Sequence, residues 1–190
     1  VRTLMGDVTP AASGGRLVAI PAEYATRAGM YADRDAFEAF KRMHAAARAE
    51  GVEIVIVSAF RSFEHQKRIW EGKWTGDTLV DGGRLPQTHP DPVARARKIL
   101  EMSSMPGTSR HHWGSDFDFN SLTNSYFESG AGERLHDWLV ANAAAYGFCQ
   151  TYTPKRAERS EGYEREDWHW SFMPVAGPKL DRYPTAVGYE

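Results

Sequence analysis

Two short segments of the sequence concentrate the side chains that could bind a metal ion. Gly107–Asp118 contains two histidines and two aspartates, and Glu166–Trp170 contains a glutamate, an aspartate and a histidine. Imidazole and carboxylate groups are zinc ligands, and three of them plus a water form the usual catalytic arrangement. Such a hydrolytic site also needs a base near the water, and Glu166 is the candidate.

Spacing alone does not choose the ligands within these segments. His111 and Asp118 are seven residues apart, so an uninterrupted strand would place them on opposite faces. Glu166 and His169 have the same odd spacing. A bend near Gly114, and another before His169, would be needed to bring the groups together. Four neighbours therefore remain open as alternatives: His112, Asp116, Glu164 and Asp167.

Three sequence blocks, taken in order, resemble one family of zinc peptidases. They read SAFRSFxxQ at Ser58–Gln66, SxHxxGxxxD at Ser109–Asp118 and ExWH at Glu166–His169. Together they resemble the D-alanyl-D-alanine carboxypeptidase (VanY-like) family, whose first block usually has Gly and Tyr in place of Ala59 and Phe60. The chain lacks the His-Glu-x-x-His helix of other zinc peptidases, and so does that family.

The resemblance implies a role for each residue of the site. His111, Asp118 and His169 would bind Zn2+, and Glu166 would be the general base. Arg61 would bind the free carboxylate of the substrate, because a planar guanidinium matches a carboxylate in two-point fashion. The other substrate contacts that the resemblance implies are Gln66, Ser109, Tyr152 and Trp168.

Each of these roles has a structural alternative. Glu166 could orient a metal ligand instead of acting as the base. Arg61 could form a structural ion pair, and Gln66 could be a solvated helix residue. His112 is expected to pack beside the site.

The activity that the resemblance implies is a zinc-dependent carboxypeptidase that removes the C-terminal D-alanine from peptidoglycan stem peptides. An L,D-carboxypeptidase or a peptidoglycan endopeptidase with the same site is an alternative. A non-catalytic zinc-stabilised domain that binds the cell wall is an alternative of another class, against which Glu166 argues. We expect a monomer acting on stem peptides in the periplasm or another extracytoplasmic space, although Val1–Pro10 shows no secretory signal.

Helix and strand signals surround these blocks. Asp35 with Glu38 forms a capping box, Ser62 is a second N-cap, and Asp91 followed by proline is a third. Predicted helices span residues 35–50, 63–74, 91–102 and 133–146. Predicted strands span residues 52–58, 113–120 and 168–173, and predicted loops span residues 76–90 and 153–165.

These elements mix helices and strands without a βαβ rhythm. We therefore predict an α+β fold with a mainly antiparallel sheet flanked by helices, as one domain over residues 1–190 with its motif core at residues 58–170. The resemblance implies a Hedgehog/D-Ala-D-Ala peptidase-like fold with zinc on the sheet face. Thr75–Met105 is the least family-like segment, and we expect it to shape specificity.

Composition excludes several other classes of protein. The 190 residues carry a formal net charge of −2, so no basic excess indicates nucleic acid as a partner. The longest apolar run, near Val52–Phe60, is too short for a transmembrane segment. The single cysteine, Cys149, excludes an internal disulfide and a Cys-rich zinc site. We expect it to be a small buried side chain.

Overall fold

Six strands and six α-helices make up the described part of the chain in the computed structural model, which describes residues 1–157, 160 and 162–187. The strands are β1 (Leu17–Ala19), β2 (Tyr31–Asp33), β3 (Ile56–Ser58), β4 (Asp116–Phe119), β5 (Phe148–Gln150) and β6 (His169–Phe172). The helices are α1 (Arg34–Ala49), α2 (Phe63–Thr75), α3 (Leu85–Thr88), α4 (Pro92–Leu100), α5 (Gly130–Asn142) and α6 (Met173–Val187). Short 3-10 helices cover Ala11–Ser13, Ala22–Tyr24, Arg110–Trp113, Asn124–Glu128 and Ala143–Tyr146.

Four of the strands form one antiparallel sheet in the order β3-β4-β6-β5. The other two, β1 and β2, pair separately, also antiparallel. The predicted α+β class and the mainly antiparallel sheet are confirmed. No helix in the described residues combines the length and the apolar character that crossing a bilayer would require.

The side chains of the central strand β4 alternate between the core face of the sheet and its polar face. Its sequence alternates aspartate and phenylalanine, and alternate side chains of a strand point to opposite faces. Phe117 and Phe119 stack on Phe40 of α1, with ring centroids 5.8 and 5.6 Å apart. The same alternation directs Asp116 and Asp118 to the other face. One four-residue pattern therefore supplies both the core and part of the site.

Two of the three predicted helix caps are confirmed. Ser62 Oγ accepts from the backbone N–H of His65, and Asp91 Oδ1 accepts from that of Ala94. The predicted cap of α1 at Asp35 is wrong, because Asp33 caps the helix by accepting from the N–H groups of Asp35 and Ala36. Asp33 ends β2, so the chain passes directly from strand to helix.

Several predicted boundaries also differ. The strand predicted over residues 113–120 is shorter, because Arg110–Trp113 forms a 3-10 helix that ends at Gly114 with φ +71°. Of the strand predicted over residues 52–58, only Ile56–Ser58 forms a strand. The helix predicted to end at residue 102 ends at Leu100. Helix α5 begins at Gly130, before the predicted residue 133, and the predicted loop 76–90 contains the short α3.

Three features were not anticipated. The β1–β2 pair has no strong hydrophobic pattern, and α6 contains Pro178 and Pro184, which oppose helix prediction. Cys149 was expected to be buried, but it lies exposed on the edge strand β5. Within the predicted loop 153–165 the described residues form no helix or strand, and residues 158, 159 and 161 lie outside the described part.

Helix α6 and the N-terminal segment form hydrogen bonds with the segments next to the candidate site. The Tyr183 hydroxyl donates to the carbonyl of Gly107 at 2.5 Å, and the Trp113 indole donates to the carbonyl of Leu4 at 3.1 Å. The backbone N–H of Phe63 donates to Gly6. The loop that carries His111 is therefore held by segments outside the motif core.

Candidate metal centre and adjoining cleft

The register of the central strands brings two candidate ligands together. Asp118 of β4 pairs directly with His169 of β6, and paired residues of antiparallel strands have side chains close to each other on the same face. Asp118 Oδ1 lies 3.0 Å from His169 Nδ1. Both side chains are buried.

The third candidate ligand comes from the turn before β4. His111 lies in the 3-10 helix that Gly114 terminates, so this turn resolves the odd spacing between His111 and Asp118. His111 Nδ1 lies 2.8 Å from the carbonyl of Ala59, which requires that nitrogen to carry the proton. The other nitrogen, Nε2, is left with its lone pair 3.3 Å from Asp118 Oδ2.

These three residues fit a single zinc ion. One ligand atom from each of His111, Asp118 and His169 lies within 4.8 Å of the others, and all three residues are buried. Ligands about 2 Å from a tetrahedral zinc are roughly 3.3 Å apart, and the two measured contacts to Asp118 are 3.0 and 3.3 Å. A set of two imidazoles and one carboxylate leaves a fourth position for water.

Asp116, the predicted rival of Asp118, contacts the far side of His169. Its Oδ1 lies 3.1 Å from His169 Nε2 and accepts from Arg110 Nε at 2.9 Å, while Oδ2 accepts from Ser115 Oγ. A carboxylate behind a ligating histidine fixes the ring's tautomer and orientation. The structure therefore gives Asp116 an orienting position and leaves His169 Nδ1 facing Asp118.

The charges at this centre follow from burial and from these contacts. Burial, followed by the charge of Arg61, lowers the pKa of His111, so this ring is neutral. Burial opposes the charged form of His169, but its hydrogen bonds to Asp116 and Asp118 raise its pKa to about 9. Both carboxylates are ionised, since their pKa values lie below the usual range despite burial.

Glu166 lies next to His169 Nδ1, the ring nitrogen that faces Asp118. Its Oε2 is 3.8 Å from His169 Nδ1, and its side chain is 8% exposed. Burial raises the pKa of Glu166 to about 7, and the nearby charge of Asp118 acts in the same direction while His169 opposes it. A carboxyl group with this pKa can accept and return a proton near neutral pH.

Short backbone contacts fix the position of Glu166. Its N–H donates to the carbonyl of Tyr152 at 2.9 Å. The side-chain amide of Asn124 forms hydrogen bonds with the residues on either side of Glu166. It donates to the carbonyl of Arg165 and accepts from the N–H of Asp167. The backbone is therefore held on both sides of Glu166, and Glu166 lines the cleft.

The two other acids near Glu166 are engaged elsewhere. Asp167 is buried, and its carboxylate accepts from Arg165 and from Gln150 Nε2. Glu164 is exposed and pairs with Lys155 at 2.6 Å. Of the three candidates for the base, Glu166 is the one that lines the cleft.

Arg61 lines a cleft of about 350 Å³ beside the candidate ligands. Its Nη2 donates to Asp118 Oδ2 at 3.0 Å, its Nη1 to Gln66 Oε1 at 3.1 Å and its Nε to Ser58 Oγ at 3.1 Å. A guanidinium has five N–H donors, so two remain for a ligand. The ion-pair interpretation of Arg61 and the substrate interpretation are therefore compatible.

Gln66 lies behind Arg61 and does not line the cleft. Its side chain is fully buried, and its Nε2 donates to the carbonyl of Ser104 at 2.8 Å. Both amide atoms are thus bonded within the protein. This geometry supports a role in holding Arg61, which differs from the expected direct substrate contact and from the solvated alternative.

The remaining predicted contacts lie around the same centre. Ser109 and Tyr152 line a small cavity of about 30 Å³ that also touches His111, Glu166 and His169. The Tyr152 ring centroid is 4.8 Å from that of His169. The predicted pocket wall, Trp168, lines the larger cleft, and Trp170 lies in the core.

His112 packs beside the site, as its sequence context indicated. Its Nδ1 lies 2.6 Å from the carbonyl of Arg61, and its Nε2 accepts from the N–H of Gly107. Burial lowers its pKa to about 4, so it is a neutral link between two site loops.

Several residues that line the cleft were not predicted from the sequence. They come from the end of α2, from the segment after α4 and from the loop after β4, where no motif marks them. These residues are Lys73, Met102, Ser103 and, from the loop after β4, Leu122. The signal that could have found Lys73 is its position in the last turn of a helix whose first turn carries Gln66.

The fold and the site together define a small α+β protein with a candidate mononuclear metal centre in the wall of an open cleft. The sequence matches the family model "VanY: D-alanyl-D-alanine carboxypeptidase" over residues 29–175, and the chain therefore belongs to the VanY D-alanyl-D-alanine carboxypeptidase family. The predicted resemblance is confirmed.

Relatives and solved structures agree with this membership. YodJ of Bacillus subtilis, a carboxypeptidase by name, is 31% identical over 152 residues, which cover 79% of this chain and 49% of YodJ. A D-alanyl-D-alanine carboxypeptidase of Enterococcus faecalis is 28% identical over 130 residues, covering 68% of this chain and 44% of that protein. The chain thus spans about half the length of these curated relatives.

Two solved structures show the shared fold. A variant of the vancomycin-resistance D,D-pentapeptidase VanY in complex with Zn(II) has a TM-score of 0.57 at 24% identity, with 87% of this chain and 88% of that chain covered. The LD-carboxypeptidase LdcB has a TM-score of 0.63 at 24% identity, with 90% and 73% covered.

Proposed function

We propose that this protein is a zinc-dependent carboxypeptidase that removes the C-terminal D-alanine from peptidoglycan stem peptides. The observation that carries the proposal is the position of Glu166, which lies 3.8 Å from the metal-facing nitrogen of His169 at the edge of the cleft. A carboxylate base beside a His-Asp-His ligand set is an arrangement suited to metal-assisted hydrolysis.

His111, Asp118 and His169 would hold the metal in this proposal. Zinc, when bound there, supplies a Lewis acid that makes water acidic near neutral pH and polarises the scissile carbonyl. Glu166 takes the proton of the attacking water, and its pKa of about 7 allows it to return that proton to the leaving amine. Asp116 keeps His169 in the tautomer that directs Nδ1 at the metal position.

Arg61 would select a free C-terminus. Arg61 lines the cleft and has two uncommitted N–H groups, both of which a terminal carboxylate can accept. Ser58, Gln66 and Asp118 fix the guanidinium plane before the substrate arrives, which reduces the ordering cost of binding. Ser109 and Tyr152, at the small cavity beside His169, are proposed contacts of the residue being released.

Activity of this kind would act where peptidoglycan is found, outside the cytoplasmic membrane. We also propose that residues 1–190 act as one domain, because segments from both ends contact the loop that carries His111 and His112. The Trp113 indole donates a hydrogen bond to the carbonyl of Leu4, and the Tyr183 hydroxyl donates one to the carbonyl of Gly107.

The test is mass spectrometry of products after zinc-loaded protein is incubated with pentapeptide and tetrapeptide muropeptides. Loss of one alanine from the pentapeptide alone is the expected result. Loss from the tetrapeptide alone would instead establish an L,D-carboxypeptidase, and cleavage inside the stem an endopeptidase. If no peptide changes while zinc stays bound, the proposal is overturned in favour of a non-catalytic zinc protein.

A further inference from the structure

The cleft beside the candidate metal centre carries more positive charge than the proposed reaction uses. Its cationic lining residues are Arg27, Arg61 and Lys73, and its acids are Asp118 and Glu166. The two acids have roles as metal ligand and base, and the single terminal carboxylate of a peptide needs only Arg61. Arg27 and Lys73 are left without a function.

Lys73 is the more informative of these two cations, because it is half-buried. Its Nζ donates to Ser103 Oγ at 2.5 Å, and within residues 1–157, 160 and 162–187 no carboxylate lies within 4.0 Å of it. Lys98, whose side chain is 23% exposed, contacts Asp81 at 2.8 Å and Glu101 at 2.7 Å.

The comparison with Lys98 indicates that Lys73 has unused capacity for an anion. An ammonium group has three donors, and one neutral hydroxyl accepts one of them. Burial lowers the pKa of Lys73, which reflects the cost of holding a charge there without a counter-charge. A carboxylate in the cleft would remove that cost.

The location of Lys73 relates this anion to the reacting peptide. Lys73, Arg61 and Glu166 line the same cleft, and the charges of Arg61 and Glu166 act on the Lys73 ammonium. An anion at Lys73 is therefore near the cleaved bond but separate from the terminal carboxylate at Arg61. Ser103 lies in the Thr75–Met105 segment, which the sequence indicated as the part that shapes specificity.

We propose that Lys73, held by Ser103, recognises a side-chain carboxylate of the stem peptide on the N-terminal side of the cleaved bond. This inference rests on the proposed function and names its substrate class. That class is stems whose third residue is a diamino-dicarboxylic acid, such as diaminopimelate, in preference to stems with lysine, whose side chain has the amine but no carboxylate for Lys73 to bind. Arg27, exposed at the rim of the same cleft, favours the same choice.

The test uses three pentapeptides that differ only at the third residue: diaminopimelate, its side-chain amide, and lysine. We expect kcat/KM of the zinc-loaded protein to be about tenfold or more higher for the free diaminopimelate peptide than for the other two, as for one charged hydrogen bond. Lys73→Met should reduce this preference to about twofold or less, and Lys73→Arg should keep most of it. Lys67→Met, on the exposed side of the same helix, is the matched control and should leave the preference unchanged.

An unchanged preference in Lys73→Met, or no preference in the wild type, would overturn the role of Lys73 while the proposed carboxypeptidase remains. If no peptide releases alanine, the proposed function fails, and binding then tests Lys73 separately. Calorimetric titration of Glu166→Gln protein with the same three peptides should show the same order of affinities. Equal affinities in that titration would overturn the inference.

Discussion

Asp118 and His169 face each other across the pair formed by β4 and β6, with Oδ1 and Nδ1 3.0 Å apart. Because strand pairing fixes the backbones of both residues, the distance between them does not depend on a loop. Asp116, two residues before Asp118, reaches the opposite nitrogen of the same ring. One histidine is thus held between two carboxylates of one strand.

Glu166→Gln should keep zinc binding and lose turnover. The amide is nearly the same size as the carboxylate but cannot accept the proton, so we expect kcat to fall about 10²- to 10⁴-fold. Metal analysis and alanine release are the two measurements. Glu164→Gln, at an exposed acid two residues away, is the control and should retain activity. A fully active Glu166→Gln protein would remove Glu166 as the base.

Asp118→Ala and Asp116→Asn should affect zinc to different degrees. Loss of Asp118 removes a ligand, so we expect almost no bound zinc at neutral pH. Loss of the Asp116 charge removes the group that orients His169, and we expect about a 10- to 100-fold lower zinc affinity. Competition with a chromophoric chelator measures both. Unchanged metal content in Asp118→Ala, with loss in Asp116→Asn, would reverse the two roles.

Arg61→Met should mainly damage cleavage of peptides with a free C-terminus. Two charged hydrogen bonds are lost, so we expect kcat/KM to fall about 100-fold for the free peptide and much less for its C-terminal amide. Zinc content must be measured in parallel, because Arg61 also bonds Asp118. Arg68→Met, at an exposed arginine of α2, is the control. Equal wild-type rates on free and amidated peptides would remove the rationale for Arg61.

Zinc affinity should rise with pH up to about 9. In the metal-free protein His169 has a pKa of about 9 because it bonds Asp116 and Asp118, so at pH 7 zinc must displace one proton. Below that pKa the loss of this proton should raise the affinity about tenfold per pH unit, and above it the contribution of His169 should vanish. Calorimetry in two buffers of different ionisation enthalpy counts the released proton. Absence of proton release at pH 7 would show that His169 is neutral before zinc binds.

Gly114→Ala should destabilise the turn that carries His111. Gly114 has φ +71°, and an added Cβ would lie 2.8 Å from the backbone nitrogen of Asp33. Gly29 has φ +79° with nothing within 4 Å of an added Cβ. We expect Gly29→Ala to cost about 1–2 kcal/mol for backbone strain alone, and Gly114→Ala to cost more, in urea unfolding. Similar losses in the two variants would show that the contact with Asp33 relaxes.

The sequence predicted the features that depend on local chemistry. Ser62 and Asp91 cap helices as expected, because an N-cap needs only its own side chain and the next turn. The strand predicted over residues 113–120 forms over Asp116–Phe119, where aspartate and phenylalanine alternate. The pairing of Asp118 with His169 could not be predicted by spacing, because register between strands 51 residues apart is set by tertiary packing.

The features that sequence reasoning missed depend on contacts with distant segments. Helix α6 forms despite Pro178 and Pro184 because Ala176 and Tyr183 bury against Trp113. Gln66 resembled a helix residue near a substrate, but its burial depends on Ser104, 38 residues further along the chain. Lys73 belongs to no motif, and its importance appears only once α2 lies along the cleft.

The pairing of β4 with β6 also determines when during folding the metal can contribute. The candidate ligands come from two strands and a preceding turn, and two of them are 51 residues apart in the chain, so the full set is assembled only when the central pair of the sheet has formed. An ion that needs this set stabilises the native protein over every partly folded state that lacks the pair. Zinc would therefore slow unfolding of the finished sheet and contribute little to its nucleation.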